Sequence, residues 1–364
     1  MRAANFRRGL VGRAFAAAAL TALAACAARP AVPLETITSA ASTATSPEER
    51  LRALLADEQR LNDVFGRLVT SNAELCGGQF VPSFGFRLWS IDDFEPANRA
   101  AAGAAFGLTE RLQVYAVAAG QPAEAAGVKP GDVLTRLEGR AVEPGEAGRR
   151  QYSEGVASGL MKRGRVSFTF ERAGKARKVR LNALKACPYA VALAVGEEPN
   201  AATDGKTIFV SSGMMAFAHD DQDLAIVLGH ELAHAIRNHP LREDSDAVPP
   251  RSTAGRVVGA VVDVAEGIGG AAYSVIGGMP QSQRNSIAFE KEADYVGLYL
   301  AARAGYDVSY AARIWRRLDE QYGASSGDHP TSDDRFEAMT ATAAEIAEKR
   351  AAGEPLVPNG MPAS

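Results

Sequence analysis

The sequence predicts an α+β protein: a mainly helical domain with a small sheet, preceded by a separate β-rich module. Three observations carry this. Leu51, Leu54, Leu55, Leu61, Val64, Phe65 and Leu68 repeat at helical spacing near the start. In the middle, Val166, Phe168 and Phe170 alternate as a strand, and Gly174 turns the chain back toward Val179 and Leu181. Downstream, Gln222 to Leu228 is rich in Leu, Ile, Val and Ala without Gly or Pro, and leads into Gly229-His230-Glu231-Leu232-Ala233-His234. A length of 364 residues suits two domains. The formal net charge of −3 gives no reason to expect a nucleic-acid partner.

Residues 1–26 read as an export signal. Arg2, Arg7, Arg8 and Arg13 form a basic start, and the apolar run Phe15 to Ala25 is too short to span a bilayer. The run ends Leu23-Ala24-Ala25-Cys26, which resembles a bacterial lipobox. That resemblance implies cleavage before Cys26, lipid on Cys26 and a periplasm-facing chain held at the membrane. Ala27 after Cys26, where Asp does not stand, favours the outer membrane over the inner. The alternative is a secreted protein with an incidental cysteine. Residues 27–46 are rich in Ala, Ser, Thr and Pro and read as a flexible tether.

The segment 47–75 is expected to be an amphipathic helix packing on the helical domain. Ser46-Pro47-Glu48-Glu49 supplies a cap, a first-turn proline and a glutamate closing a capping box. Cys76 and Cys187 are the cysteines other than Cys26. They flank the β-rich module, 76–187, and an exported compartment permits a bridge between its ends. Two buried free thiols are the alternative. Closing about 100 residues is worth up to about 4.7 kcal/mol in the loop-entropy account.

Within the module, Pro122 opens a short helix that Gly127 ends, Lys129-Pro130-Gly131-Asp132 is a turn, and a strand follows to Glu138-Gly139-Arg140. Tyr152, Val156 and Leu160 step along one helix face. Leu112 to Val142 resembles the PDZ domain of bacterial proteases. The resemblance implies a bound peptide, often a C-terminus, taken up as an added strand. Phe84-Gly85-Phe86 or Phe106-Gly107-Leu108 is the candidate carboxylate-binding loop.

The helical domain covers 188–350. Ala190 to Val195 and Thr207 to Ser211 read as strands joined by a turn over Asn200 to Lys206. Thr207–Ser211 is the candidate edge on which an extended substrate pairs. Then comes the HExxH run, on a helix that Asp220 or Asp221 caps. Positions i and i+4 share a helix face, so His230 and His234 can hold one tetrahedral Zn²⁺. Glu231 sits badly for the same ion but well for taking a proton from water there. A zinc hydrolase needs a third protein ligand. Pro240 occupies one position where a later histidine would serve, and His239 falls off the ligand face, as a helix-end residue favourable to the dipole. Ser286 to Ala304 has helical spacing and ends at Gly305. Glu290 and Asp294 fall on one face of it; Glu290 can be the third ligand, and Asp294 can hold a ligand histidine through its far nitrogen.

HExxH followed by Glu290-Lys291-Glu292-Ala293-Asp294 resembles the CAAX-prenyl-protease type of zinc metallopeptidase, a gluzincin family with membrane and periplasmic branches. The resemblance covers Pro188 to Arg350, and His329-Pro330-Thr331-Ser332-Asp333-Asp334-Arg335 is similar to that family's HPxxxxR segment. It implies a mainly helical gluzincin fold with a small edge-strand sheet. It also implies that His329 and Arg335 contact the substrate carbonyl or the oxyanion, with His329 able to cap the zinc at rest. A histidine and an arginine together supply the positive charge a tetrahedral oxyanion needs. Between the two ligand helices, 252–279 is glycine-rich with Arg256, Asp263 and Glu266, a poor membrane span and a better mobile lid. Residues 351–364 are expected to be disordered.

The expected function is a lipid-anchored zinc endopeptidase acting on unfolded or misfolded envelope proteins. The rival is a PDZ-type peptide-binding, chaperone-like lipoprotein whose zinc is permanently capped, since structural zinc sites are closed by four protein ligands.

Overall fold

In a computed structural model, residues 46–240, 286–323, 329 and 331–361 are described, apart from positions 79, 95 and 195. The export signal, Cys26, most of the tether and the glycine-rich segment 252–279 lie outside the described residues.

The first helix, α1 (Pro47–Ser71), starts on the foreseen capping box. The Ser46 hydroxyl accepts from the Glu49 amide at 3.2 Å, and the Glu49 carboxylate accepts from the Ser46 amide at 3.0 Å. A 3₁₀ turn, Ala73–Leu75, leads to Cys76. The module then runs β1 (Val81–Ser83), β2 (Phe86–Trp89), α2 (Pro96–Phe106), β3 (Gln113–Val117), α3 (Pro122–Ala125), β4 (Val133–Leu137), β5 (Arg140–Ala141), α4 (Gly145–Arg163), β6 (Arg165–Arg172), β7 (Lys175–Asn182) and β8 (Leu184–Ala186). Its sheet has the order β2-β3-β4-β6-β7, with β5 beside β4 and β2 at one edge. β1 pairs antiparallel with β8, and a Cys76–Cys187 disulfide joins the two ends beside that ribbon. Phe84, Phe86, Tyr152, Phe168 and Phe170 make one ring cluster at centroid spacings of 5.1–6.4 Å.

The second loop candidate, Phe106-Gly107-Leu108, ends α2: the Gly107 amide bonds the Gly103 carbonyl at 2.9 Å, with φ +64°. The first, Phe84-Gly85-Phe86, opens edge strand β2. Gly85 has φ +82°, and a Cβ there would stand 2.3 Å from the Gln121 Cβ, so only glycine fits.

The rest of the chain runs β9 (Ala190–Ala194), β10 (Ala201–Thr203), β11 (Thr207–Ser211), α5 (Ser212–Phe217), α6 (Asp221–Ile236), α7 (Ile287–Arg303), α8 (Ala311–Tyr322) and α9 (Asp333–Ala351). The strands form a sheet of order β10-β11-β9. This corrects the sequence reading. Thr207–Ser211 is the inner strand, buried along its length, and the edges are β9 and β10, the latter within the stretch read as a turn. Ala201-Ala202-Thr203 is too short for any alternation to show. The turn proper is Asp204-Gly205-Lys206, where the Asp204 carboxylate accepts from the Lys206 and Thr207 amides.

The C-terminal segment also departs from expectation. Residues 352–361 fold back on the helices rather than staying disordered. Leu356 and Met361 pack against the core, Arg303 Nη1 donates to the Leu356 carbonyl at 3.2 Å, and the Asn359 amide bonds the Tyr295 hydroxyl at 3.2 Å. Gly and Pro here shape a tie-down rather than a free tail. Among the described residues, no helix is long and apolar enough to cross a membrane.

Helix α1 packs on both halves, not on the helical domain alone. Gln59 Nε2 donates to the Tyr115 carbonyl of β3 at 2.6 Å, and Asp63 accepts from the Ala119 amide at 2.6 Å. Its other side holds α6 and α7: Arg60 reaches Asp221 at 2.9 Å, and Asn72 Nδ2 donates to the Leu300 carbonyl at 2.9 Å. At this seam Glu58 is buried. Burial pushes its carboxyl up to about 7, against Asn62, Arg87 and the Leu193 backbone, which favour the charge. The folded state thus holds this proton more tightly than the unfolded chain. Stability from this group is lost as pH rises from about 4.5 through 7, by about 3 kcal/mol in all. Glu58→Gln is therefore expected to stabilise the protein at pH 8 and to change little at pH 4.5. Urea unfolding at the two pH values measures this, and an equal effect at both would contradict it.

Candidate metal centre

The two ligand helices come together because both lack a side chain where they cross. Gly229 on α6 and Gly297 on α7 meet backbone to backbone, and a Cβ on Gly297 would stand 2.8 Å from the Gly229 carbonyl carbon and from the His230 amide. Asp220 caps α6, accepting from the Asp223 amide at 2.9 Å, and Ser286 caps α7, accepting from the Phe289 amide at 3.3 Å. The close crossing sets His230 and His234 opposite Glu290 and Asp294. Gly297→Ala is expected to push the helices apart, destabilise by about 1–3 kcal/mol and lower metal retention. Thermal unfolding and metal content measure both effects, and wild-type values for both would show that the crossing tolerates a methyl group.

His230 Nε2 and His234 Nε2 face each other at 3.0 Å. Glu290 lies 3.4 Å from the first and 3.2 Å from the second. His329 Nδ1 closes the group, 3.3 Å from His230 Nε2 and 3.1 Å from Glu290 Oε2. The donor atoms of the four residues all lie within 4.8 Å of one another, and all four are buried. A tetrahedral ion bonding at about 2.0–2.1 Å sets its ligand atoms roughly 3.3 Å apart. The residues therefore fit a metal ion in spacing. They fit in charge as well. Glu231, Glu290 and Asp294 are buried carboxylates set against the guanidinium of Arg335 and the imidazole of His329, so a cation among them is compensated.

The titration of the site has the same origin. Burial lowers His234 to about 3, keeping it a neutral imidazole. Burial works against charge on Glu290, yet His329 and His230 beside it hold its carboxyl far below the usual range. Burial alone would lower His329, but Glu290 and Glu231 outweigh it and raise the imidazole to about 10.

Asp294 Oδ1 accepts from His230 Nδ1 at 2.9 Å, which turns Nε2 toward the site. Glu231 is 1% exposed, with Oε1 3.2 Å from His329 Nε2. That same nitrogen donates to the Ala201 carbonyl of β10 at 3.1 Å. Arg335 stands elsewhere than the resemblance implied. It is fully buried, with Nε and Nη2 donating to Asp294 at 2.8 and 2.9 Å and Nη1 paired with Glu290 at 3.0 Å. Its charge faces the carboxylates of Glu290 and Asp294. Ser332 caps α9 and thereby places Arg335 in its first turn. Trp315 of α8, which the sequence reading did not single out, backs the site, its ring 4.9 Å from that of His230 and 5.6 Å from the Arg335 guanidinium. His239, expected at a helix end, lies in the site with Nδ1 2.9 Å from His234 Nδ1.

Comparison with known proteins agrees with this geometry. Residues 169–343 match the model of peptidase family M48, and residues 82–183 match the PDZ domain. The chain carries a peptidase family M48 domain and a PDZ domain. Among curated proteins, the putative β-barrel assembly-enhancing protease of Vibrio cholerae is 30% identical over 144 residues, 36% of this chain and 30% of that protein. The mitochondrial metalloendopeptidase OMA1 of Schizosaccharomyces pombe is 29% identical over 152 residues, 38% of this chain and 42% of that protein. The β-barrel assembly-enhancing protease of Escherichia coli is 26% identical over 146 residues, 38% of this chain and 30% of that protein. The matched stretch thus spans less than half of each relative. The M48 domain is that of a metallopeptidase, and its HExxH residues are those on α6 described above. The two family matches overlap at 169–183, where β6 and β7 complete the PDZ sheet.

Proposed function

We propose that the chain is a zinc-dependent endopeptidase, anchored through lipid on Cys26 and facing the periplasm, that cleaves unfolded or misfolded envelope proteins. The convergence of His230, His234 and Glu290 from two helices, with Glu231 beside them, carries this reading. Zn²⁺ would suit the donor set of two imidazoles and a carboxylate. When bound it supplies Lewis acidity, which makes water more acidic and polarises a peptide carbonyl.

The chain's own residues do the rest. His230, His234 and Glu290 hold the ion, and Asp294 keeps His230 turned toward it. Glu231 Oε1, buried beside His329, takes a proton from attacking water and hands it to the leaving amine. Arg335 pairs with Glu290 and Asp294 and holds both side chains in place. Edge strand β10 accepts an extended substrate as a further strand, which restricts cleavage to chain that is unfolded or looped. His329 now bonds that edge at Ala201 and stands where a fourth ligand would, so a productive substrate displaces it. The PDZ domain, with its Phe84-Gly85-Phe86 loop opening edge strand β2, takes up a peptide or C-terminus by strand addition.

The names of the V. cholerae and E. coli relatives place those proteins in β-barrel assembly, and envelope quality control is the role we assign here by analogy. The rival, a peptide-binding lipoprotein with a capped metal, draws on the same position of His329. Purified protein is expected to carry one zinc per chain and to cleave casein but not folded globular proteins, with loss on chelation and recovery on adding zinc. Metal uptake without any cleavage of unfolded chain would favour the capped reading.

A further inference from the structure

Each ligand histidine has a second ring nitrogen to be held, and the structure treats the two differently. His230 Nδ1 meets Asp294 directly. Among the described residues His234 Nδ1 meets no carboxylate; it lies 2.9 Å from His239 Nδ1. His239 is fully buried, stacked on Phe289 at 4.3 Å and 7°, with Nε2 3.0 Å from Glu292 Oε2. Glu292 in turn accepts from Arg237 Nε at 2.6 Å.

The backbone explains how a residue five positions on reaches His234. Helix α6 stops at Ile236, Arg237 caps it, and Asn238 takes the left-handed conformation at φ +56°. Asn tolerates that region better than most residues. The turn carries His239 back beneath His234 instead of onward around the helix.

We propose that His239 is a positioning residue for the metal site, relaying the Glu292 carboxylate to His234 through one fixed tautomer. The inference rests on the metal-site reading above. If His234 offers Nε2 to the ion, its Nδ1 must carry a proton and donate it to His239 Nδ1. His239 then carries its own proton on Nε2 and donates it to Glu292. A single assignment satisfies every nitrogen in the row, and it requires a neutral His239. Helix α7 thereby supports the ion three times over: Glu290 directly, Asp294 through His230, and Glu292 through His239 and His234. A histidine serving only the helix dipole would be favoured as a cation, the opposite protonation.

The test is zinc competition between the purified full chain and a chelating dye. His239→Phe keeps the stack on Phe289 and removes the acceptor, and is expected to weaken zinc binding about 10–100-fold. His239→Asn returns an acceptor near the place of Nδ1 and is expected to recover most of that loss. Zinc affinity equal to wild type in a folded His239→Phe variant overturns the relay, as does an equal loss in both variants. Absence of zinc binding by the wild type would instead overturn the metal-site reading beneath it. Should His239→Phe fail to fold, ¹⁵N imidazole spectra of the zinc-loaded wild type decide. A bare Nδ1 and protonated Nε2 on His239 support the relay, and any other protonation state overturns it.

Discussion

Replacing Glu231 by Gln is expected to reduce casein hydrolysis by about 10²–10⁴-fold, the usual contribution of a positioned general base. Metal content and unfolding temperature should stay at wild-type values. The substitution keeps the size and one carbonyl oxygen of a side chain that is 1% exposed, and removes only its basicity. It also removes one of the two carboxylates that raise His329, so His329 should titrate lower in the variant. The expected outcome is thus specific: zinc retained, fold retained, turnover lost. Wild-type turnover would eliminate Glu231 as the base and, with it, the hydrolytic reading of α6. Loss of zinc along with turnover would point to a structural part for Glu231.

Arg335→Met is expected to cause the largest loss of stability. The guanidinium is fully buried and neutralises Asp294 and Glu290 together. Removing one partner of a buried ionic group leaves charge without compensation, at about 3–5 kcal/mol. A bound cation relieves part of that, because Glu290 then faces the ion. The loss should therefore be larger in metal-free than in metal-loaded protein, and zinc should raise the variant's unfolding midpoint more than the wild type's. Urea titrations with and without chelator measure the difference. A loss below about 1 kcal/mol in both states would show that the arginine can be spared, contrary to its burial.

The chemistry of the site was largely legible because it follows helix geometry. His230 and His234 share a face at i and i+4, Glu290 and Asp294 do the same on the partner helix, and Asp220 and Ser286 are strong caps. The turns of the PDZ domain were legible for a similar reason, since Gly127 and Gly131 adopt positive φ that few other residues take. What escaped depends on tertiary placement. Three residues of β10 hold no period, so an inner strand was mistaken for the edge. His239 falls off the ligand face if the helix is extended, whereas α6 ends at Ile236 and Asn238 turns the chain at positive φ. The sign of Arg335 was clear, but its partners were not. A charge read as facing substrate is in fact enclosed, because Asp294 and Glu290 lie within its reach. The C-terminal residues were judged by composition alone, which says nothing of the Arg303 and Tyr295 groups waiting to bind them.

The Cα atoms of Cys76 and Cys187 are 5.6 Å apart although 111 positions separate them in sequence. The chain leaves and re-enters the helical half through what is effectively one doorway. Such an arrangement makes the PDZ domain a cassette: it can be exchanged for another without rerouting the polypeptide that builds the M48 domain, provided the replacement presents an apolar back to helix α1. New substrate preferences can then arise by swapping the reader while the blade stays as it is.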